Sequence, residues 1–459
     1  MSEIDNTPIP ETEQTVPVPP PLTDEDFVAM TGEPLPPAWL INDKKINEPM
    51  FCNAFLEDHA LCCINGHFIG YDGVVEDSII ETEIYRLIKP FINNNISRKI
   101  KQLLAALKLE AHSEEFVPDS SIIHLQNGTY HLAEGFTEDK TFCFNRLNVA
   151  YNTAASEPNV FRKFLSDLFY EDDIPAVQEW LGYCLTSSTK SQKMLTVIGN
   201  GGEGKSRIGV LLKDMFGDGM ISGGLHHLEN NRFAQANLEN RYLFLDDDLK
   251  IEALGQTNKL KQIVTNEGKL MIERKGIQAY PALIYSKIMA FGNGTLTALN
   301  DMTDAFFRRQ IIITTRPKPE SRIDDPFIAE KMIAEKEGIL LWAIEGLKRL
   351  TANSYNFSLS ERTKENLRKS MEDNCNIIPF LKSEDWIAFV PEAFTSTREL
   401  YDHYDYWCSE NCEKPIPPRN FSGYLNQNVE KFKIRPDTHG INSNGRRARG
   451  YRGIMKKVS

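Results

Sequence analysis

Apolar and polar residues alternate with two different spacings in the first third of the chain. Short apolar runs at 61–73 and 121–132 contain Asn-Gly and Asp-Gly pairs, which are typical of tight turns between antiparallel strands. The stretch 80–111 instead has apolar residues at helical spacing. Residues 38–155 are therefore predicted to form a small α+β domain, and we identify no catalytic constellation in it.

Helical spacing also flanks a mixed central segment. Residues 158–187 predict two helices that separate near Pro175, because proline disrupts a helix interior. Residues 325–353 predict one long helix or a pair of helices. Between these stretches, residues 191–317 alternate predicted strands and helices, which indicates an α/β domain.

The composition is that of a globular protein without a membrane span. Hydrophobic residues make up 41% of the 459 residues and charged residues 25%, which is ordinary for folded domains. No apolar run approaches the roughly 20 residues that cross a bilayer, and the first residues lack the basic and apolar regions of a signal peptide. Eight cysteines are too few for a disulfide scaffold. We therefore expect a cytoplasmic protein with reduced thiols and no membrane partner.

Charge is distributed unevenly along the chain. The net charge of −12 argues against a wholly basic nucleic-acid coat. Residues 1–37 carry eight acidic residues, several prolines and no Lys or Arg, which predicts a disordered tail. Residues 431–459 carry nine Lys and Arg residues and one acid, Asp437. This basic cluster indicates contact with nucleic acid.

The predicted elements around this basic cluster follow the order of a winged helix. Two predicted helices, 395–412 and 419–431, precede a glycine-rich basic hairpin. A winged helix of this kind binds duplex DNA, whereas the alternative is a basic disordered tail. The arginines that we predict to contact DNA in this unit are Arg446, Arg447, Arg449 and Arg452.

A glycine-rich segment in the central domain has the spacing of a phosphate-binding loop. A predicted strand, 194–198, leads into G-x-x-x-x-G-K-S and then into an amphipathic helix. Glycines let backbone amides approach phosphate oxygens, and the helix N-terminus adds a positive dipole end. Lys205 is expected to reach the β- and γ-phosphates of ATP, and the Ser206 hydroxyl is expected to bind Mg²⁺. The alternative is a glycine-rich turn in an unrelated α/β domain. The predicted nucleotide-binding residues are Gly199, Asn200, Gly201, Gly202, Glu203, Gly204, Lys205 and Ser206.

Two further predicted strands of this domain end in polar side chains. The apolar strand LFLDDD (243–248) ends in carboxylates, which suit a site for Mg²⁺ and an attacking water. We assign Asp246 to the metal and Asp247 to the water, and we expect Asp248 to face solvent; the alternative is a solvated strand cap. Asn293 ends a later apolar strand, where it is expected to orient the water. The alternative for Asn293 is an ordinary residue between a strand and a turn.

Two adjacent arginines, Arg308 and Arg309, precede the last predicted strand of the domain. A guanidinium carries five donors and a permanent charge, which suits the γ-phosphate of ATP during transfer. If the chain forms a ring, one of these arginines acts on the nucleotide of a neighbouring subunit. The alternative is a pair of surface arginines.

Taken together, four blocks resemble those of superfamily-three DNA helicases, in particular the helicase portion of phage, satellite and poxvirus-type primase-helicases. The blocks are GNGGEGKS (199–206), LFLDDD (243–248), KIMAFGN (287–293) and DAFFRRQIII (304–313). The resemblance implies an AAA+-like ATPase core, ATP and Mg²⁺ bound between the subunits of a hexamer, and movement in the 3′-to-5′ direction. The chain departs from the family at Leu296, where proline is frequent, and we expect a changed loop there.

The resemblance also implies roles for individual residues of the nucleotide site. Lys205 and Ser206 match the phosphate-loop pair of the family. Asp246 and Asp247 match its acidic pair, and Asn293 matches its sensor asparagine.

The remaining implied roles concern the neighbouring subunit and the DNA. Arg309 best matches the arginine finger of the family, and Arg308 competes for this role. The segment 259–285 resembles the hairpin that carries basic residues into the central channel of the ring. Arg274 and Lys275 are then expected to grip the backbone of single-stranded DNA, whereas the alternative is an ordinary polar hairpin tip.

These observations predict an ATP-dependent replicative DNA helicase of a phage or mobile element, acting in the host cytoplasm as a hexameric ring. We expect no primase activity, because residues 38–155 show no clear Asp-x-Asp pair, so that a separate primase chain is the expected partner. Two alternatives are a DNA-binding ATPase switch that does not unwind and an RNA helicase of a small virus. The predicted units are a disordered acidic Pro-rich tail (1–37), an N-terminal α+β domain (38–155), a helical collar (156–190), the ATPase domain (191–317), a helical segment (318–375) and a winged-helix DNA-binding domain (376–459).

Overall fold

The computed structural model describes residues 35–42, 45–249, 254, 256–266, 268–296 and 304–457. Residues 1–34 of the predicted acidic tail lie outside the described residues. The chain divides into two compact units. The first contains the chain up to Gly70 and Val74–Glu115, and the second contains Tyr71–Gly73 and the chain from Phe116 onward.

The first unit is a small α+β domain, whose core includes Phe51, Phe68 and Ile84. Its predicted Asn-Gly turn is present at Asn65 and Gly66, where both residues have positive φ angles, as turns between antiparallel strands require. The elements of this part of the chain are β1 (Leu40–Asn42), β2 (Lys45–Ile46), α1 (Glu48–Asp58), β3 (Cys62–Ile64), β4 (His67–Gly70), β5 (Gly73–Val75), α2 (Asp77–Ile88) and α3 (Ile96–Glu110).

The second unit begins with an antiparallel sheet and two helices that share one core. The sheet consists of β6 (Ile122–Leu125), β7 (Gly128–His131) and β8 (Gly135–Thr137), and the helices are α4 (Asn159–Leu168) and α5 (Ile174–Cys184). Ile123 and Leu125 are fully buried in the cluster that also contains the apolar side chains of α4 and α5. The boundary between the two compact units therefore lies at residue 115, whereas the sequence predicts that the N-terminal domain ends at residue 155.

A parallel sheet forms the centre of the second unit. Within the described residues it has five strands in the order β10-β11-β14-β9-β15, and all neighbouring pairs are parallel. The carboxyl ends of these strands meet at one edge, where α/β proteins bind ligands. The elements of this region are β9 (Met194–Ile198), α6 (Lys205–Phe216), β10 (Met220–Ser222), α7 (Leu225–Asn230), β11 (Leu243–Leu249), α8 (Asn258–Val264), β12 (Lys269–Arg274), β13 (Ile277–Leu283), β14 (Lys287–Gly292), α9 (Asp304–Phe307) and β15 (Gln310–Thr314).

Helices then pack against this core. They are α10 (Ile328–Ile333), α11 (Lys336–Ala352) and α12 (Glu361–Asn374). Helix α11 lies directly on α5, since a Cβ on Gly182 would come within 2.3 Å of the Ala343 carbonyl oxygen. Arg349 of α11 also donates from Nε to the fully buried Glu179 carboxylate of α5 over 2.7 Å. None of the described helices has both the length and the apolar character needed to cross a membrane.

The last part of the chain has its own core around Phe380, Tyr404 and Phe421. Its three-stranded antiparallel sheet has the order β17-β19-β18. A capping box of Ser396 and Glu399 fixes the start of its longest helix. The elements are α13 (Ile377–Lys382), β16 (Ile387–Ala388), β17 (Phe394–Ser396), α14 (Thr397–Glu410), α15 (Pro418–Gln427), α16 (Val429–Phe432), β18 (Arg435–Ile441), β19 (Arg447–Arg452) and β20 (Met455–Lys456).

A lysine is buried at the start of the central strand β14. The ammonium of Lys287 donates to the carbonyl oxygen of Thr186 and lies 4.8 Å from the ring centroid of Tyr183. Burial lowers the pKa of Lys287 to about 7, although the neighbouring Cys184 acts in the opposite direction. The folded chain therefore disfavours the charged form of this side chain.

We expect Lys287 to make the stability of the protein depend on pH. The unfolded pKa of lysine is about 10.4, so above pH 7 the unfolded chain binds more protons than the folded chain. The unfolding free energy should then rise with pH between 7 and 8.5, by at most about 1.4 kcal/mol per pH unit. Urea unfolding of the wild type and Lys287→Met checks this, because the slope should be lost in the variant. Unfolding free energies that change equally with pH in the wild type and in Lys287→Met would contradict this prediction.

Candidate functional site

The glycine-rich loop connects β9 to α6, as the sequence predicts. Gly201, Gly202 and Gly204 have φ angles of +100°, +78° and +109°, which side-chain-bearing residues adopt only with strain. A Cβ on Gly199 would lie 2.4 Å from the Thr315 hydroxyl oxygen and 2.8 Å from Lys205 Nζ. These glycines are therefore required by the backbone conformation and by close packing.

The loop borders a cavity of about 790 Å³, which is within the range of roughly 300–1,000 Å³ that is usual for small-molecule sites. The cavity lies at the carboxyl edge of the parallel sheet, where β9, β11 and β14 end. Predicted site residues from three separate segments line it together: Gly201, Gly202, Glu203, Gly204, Lys205, Ser206, Asp247 and Asn293. Asn293 is exposed directly after β14, as expected for a side chain that reaches into this space.

The basic group of the loop is buried and paired. Lys205 has 8% of its surface exposed, and its Nζ lies 3.0 Å from Oε2 of Glu203. Burial acts to raise the pKa of Glu203, but hydrogen bonds from Lys205 and from backbone amides outweigh it, so that the pKa is lowered. The loop therefore holds a charged Lys–Glu pair at the cavity.

The three carboxylates near the carboxyl end of β11 have different surroundings. Asp246 is buried, with Oδ2 accepting from the Leu225 amide at 2.7 Å and Oδ1 accepting from the Asp248 amide at 3.2 Å. Burial raises the pKa of Asp246 in spite of these bonds. Its side chain thus fixes the start of α7 and does not line the cavity.

The carboxylates that line the cavity are Asp247 and Asp248. Successive side chains of a regular strand point to opposite faces, but the register between β11 and β14 shifts between Asp246 and Leu249, which allows adjacent residues to reach one space. The cavity lining thus contains Asp247 and Asp248, which are both exposed, whereas Asp246 is held by the Leu225 and Asp248 amides. The assignment of Asp246 to a metal ion stays a prediction.

The two arginines lie at the opposite edge of the sheet. Arg308 is exposed and Arg309 half-buried, immediately before β15. The register pairs Gln310 with Met194 and Thr314 with Ile198, at the two ends of β9. The five residues of β15 span roughly 16 Å at about 3.3 Å per residue. The arginines are therefore remote from the cavity of their own chain.

A third cation accompanies these arginines. Lys193 Nζ donates to the carbonyl oxygen of Arg308. Burial, and then repulsion from Arg308 and Arg309, lowers the pKa of Lys193. This concentration of positive charge is favourable for contact with an anionic group.

The two residues of the β12–β13 hairpin that the sequence predicts to contact DNA have different surroundings. Lys275 is exposed at the turn, next to Gly276 with its φ angle of +79°. Arg274 instead donates from Nε to the Tyr280 hydroxyl over 2.8 Å and from Nη2 to the Glu239 carboxylate over 2.7 Å. Arg274 thus has a role within its own chain, which the prediction of a backbone grip did not include.

The basic residues of the C-terminal sheet also differ in their surroundings, since some are exposed and one is paired within the sheet. Arg446, Arg447 and Arg449 are exposed at or near the turn between β18 and β19. Arg452 is half-buried and donates from Nε to the Asp437 carboxylate over 2.6 Å. Its predicted contact with DNA is therefore in competition with an ion pair inside the sheet.

Sequence reasoning missed one polar face in this region. Helix α15 buries Phe421, Tyr424 and Leu425, and these apolar positions follow helical spacing in the sequence. The same spacing leaves an exposed polar face, which was detectable as the complement of the apolar one. Its residues are Arg419, Asn420, Asn426 and Gln427.

Sequence reasoning also missed an apolar part of the cavity wall. Val160 and Phe164 come from α4, and Ile323 and Pro326 come from the segment after β15. Ile323 has 93% of its surface exposed. These residues add apolar surface to the cavity, but no local pattern in the sequence brings the two segments together.

The comparisons with known proteins define the class of the fold. Residues 197–309 match the model of a family of unknown function, DUF5906. An apo structure of the NrS-1 C-terminal region (305–718) is similar, with a TM-score of 0.50, 13% identity and coverage of 85% of this chain and 88% of that chain. The A-form apo structure of the same region has a TM-score of 0.49 at 14% identity, covering 86% of this chain and 88% of that chain. No curated protein matches. The chain is an α/β protein with a parallel sheet, and the likeness extends to the fold alone.

Proposed function

We propose that this chain is an ATP-dependent motor that moves along single-stranded DNA and unwinds duplex DNA as a homohexameric ring. One observation carries the proposal. Lys205 and Ser206 of the loop, Asp247 and Asp248 near the carboxyl end of β11, and Asn293 after β14 line a single cavity at the carboxyl edge of a parallel sheet. These are the residue types that phosphoryl transfer requires: a cation, a hydroxyl, carboxylates and an amide around one space.

The residues that line the cavity would have different roles in the hydrolysis of ATP. Lys205 would neutralise the β- and γ-phosphates, while Asn293 and one carboxylate would orient the attacking water. The Ser206 hydroxyl and the carboxylates of Asp247 and Asp248 are hard oxygen donors, which fit Mg²⁺. When bound, Mg²⁺ would supply further neutralisation of the phosphate oxygens.

The proposal of a ring rests on the position of the arginines. Because Arg308 and Arg309 lie at the other edge of the sheet from their own cavity, a role in phosphoryl transfer requires the cavity of another subunit. A guanidinium supplied by a neighbour links hydrolysis to the arrangement of subunits. This is the coupling that a rotary or sequential motor needs.

The proposal of DNA as the partner rests on exposed cations in two places. Lys275 lies at the tip of the β12–β13 hairpin, and Arg446, Arg447 and Arg449 lie on the C-terminal hairpin. The elements from α13 to β19 follow the order of a winged helix, in which the exposed face of α15 would enter a groove. The hairpin would contact the translocated strand, and the C-terminal unit would contact duplex DNA.

A second candidate is a DNA-binding ATPase switch that does not unwind. The observation in its favour is the pairing of Arg274 with Glu239 and Tyr280, which leaves Lys275 as the cation at the exposed turn of the hairpin. A switch needs the nucleotide site and the contacts of the C-terminal unit with DNA, but it does not need a hairpin that moves along single-stranded DNA.

Charge reversal at Lys275 separates the two candidates. For a motor, Lys275→Glu should reduce unwinding of a tailed duplex at least about tenfold, because a phosphate contact becomes a repulsion in each subunit. Lys369→Glu, on the exposed surface of α12, is the matched control and should unwind like the wild type. Wild-type protein that hydrolyses ATP but separates no strands, or a Lys275→Glu variant that unwinds normally, would favour the switch.

A further inference from the structure

A carboxylate of the glycine-rich loop folds back into the loop itself. Glu203 has 2% of its surface exposed. Its Oε1 accepts from the Asn200 amide, and its Oε2 accepts from the Gly201 amide at 3.0 Å and from Lys205 Nζ at 3.0 Å. Three donors at the mouth of the cavity are thus directed at one internal anion.

These donors are of the kind that a phosphate group would use. Backbone amides of a glycine-rich turn and a lysine ammonium together form an anion site. A charged carboxylate that already contacts Lys205 neutralises the cation most important for binding a triphosphate. A phosphate oxygen placed beside Lys205 while Glu203 remained there would meet a like charge within a few ångströms, and the two negative charges would repel each other.

We propose that Glu203 is a positioning residue that competes with the phosphates of the nucleotide for Lys205, so that nucleotide binding requires Glu203 to leave the loop. The inference rests on the proposed function, because it assumes that the cavity binds a nucleoside triphosphate. Glu203 would lower the affinity of the site for nucleotide, because the free energy of its contacts within the loop is subtracted from the free energy of nucleotide binding.

The two glycines before Glu203 have open surroundings, since a Cβ added to Gly201 or Gly202 would meet no atom within 4 Å. The Glu203 side chain itself is buried, so its departure would require the loop to change conformation. Departure of Glu203 would free Lys205 and the two amides from their contacts with this carboxylate.

The experiment compares nucleotide affinity in two variants of similar charge change. Glu203→Gln keeps the size of the side chain but removes its charge from Lys205. Glu345→Gln makes the same change on the exposed surface of α11, and Glu345 is not among the described residues that line the cavity. Binding of ADP and ATP to the wild type and to each variant is measured by titration calorimetry, with KM and kcat for ATP hydrolysis in parallel.

Competition predicts a dissociation constant at least about tenfold lower in Glu203→Gln, equivalent to about 1.4 kcal/mol, and less than about a twofold change in Glu345→Gln. It also predicts that KM falls by a larger factor than kcat changes, which a general folding defect would not produce. Glu203→Ala, which removes the acceptor completely, should shift affinity in the same direction as Glu203→Gln.

Two results would overturn the inference while leaving the proposed function intact. In the first, wild-type protein binds ATP, and both Glu203 variants bind it equally or more weakly. In the second, Glu345→Gln tightens binding as much as Glu203→Gln, which would indicate a general effect of charge. If neither the wild type nor any folded variant binds nucleotide, the proposed function itself fails.

Discussion

Replacement of Lys205 by alanine is expected to lower kcat/KM for ATP hydrolysis at least about a hundredfold, because the cavity loses a preorganised cation where phosphate charge develops. Unwinding should be lost with it. Lys205 is the residue to test because it is the buried cation of the loop that lines the cavity. Steady-state hydrolysis and strand separation, measured on the same preparation, check the prediction.

The control for this variant must account for folding. Lys205→Ala leaves Glu203 buried without its counter-charge, and such unpaired charges cost about 3–5 kcal/mol. The double variant Lys205→Ala/Glu203→Gln removes both charges and should recover most of the lost stability while remaining inactive. Lys213→Ala, near the other end of α6 where Lys213 donates to the Gly217 and Met220 carbonyl oxygens, should keep its activity. Normal turnover in Lys205→Ala would contradict the proposed function.

Local sequence signals predicted the secondary structure around the glycine-rich loop. The strand, the glycine-rich loop and the helix that contains Lys205 are adjacent in the chain, so their arrangement follows from short-range backbone preferences. Asn293 and the acidic strand end were also predictable, because the carboxyl ends of parallel strands meet at one edge. The presence of both Asp247 and Asp248 in the cavity wall was not predictable in this way, since it depends on a register shift against β14 that appears only when the strands pair.

Long-range contacts account for the other differences between the predictions from the sequence and the structure. Arg274 is held by Glu239, 35 residues away, and Arg452 by Asp437, 15 residues away. Residue type and local spacing do not reveal such partners, so basic clusters indicate nucleic-acid contact only in part. The strands β6 to β8 join the core of the second unit for the same reason: their apolar faces pack against helices that follow later in the chain.

The position of Arg308 and Arg309 leads to an expected result on hydrolysis. If one of them acts on the nucleotide of a neighbour, its replacement by alanine should lower kcat by roughly a thousandfold, as loss of an arginine finger does, with little change in the dissociation constant for ATP. Variants of each residue, made separately, identify which arginine acts. Normal hydrolysis in Arg308→Ala, in Arg309→Ala and in the double variant would contradict a role for the pair.

Mixing of inactive variants then tests whether the arginine acts between subunits. Lys205→Ala has a defective loop but an intact arginine, whereas the inactive arginine variant has an intact loop. In randomly mixed rings from equal amounts of the two, roughly a quarter of the interfaces between neighbours would combine an intact loop with an intact arginine. Mixed samples should therefore regain hydrolysis that neither variant shows alone. If subunit exchange is verified and no activity returns, the arginine acts within its own chain or not at all, and the ring with shared sites must be abandoned.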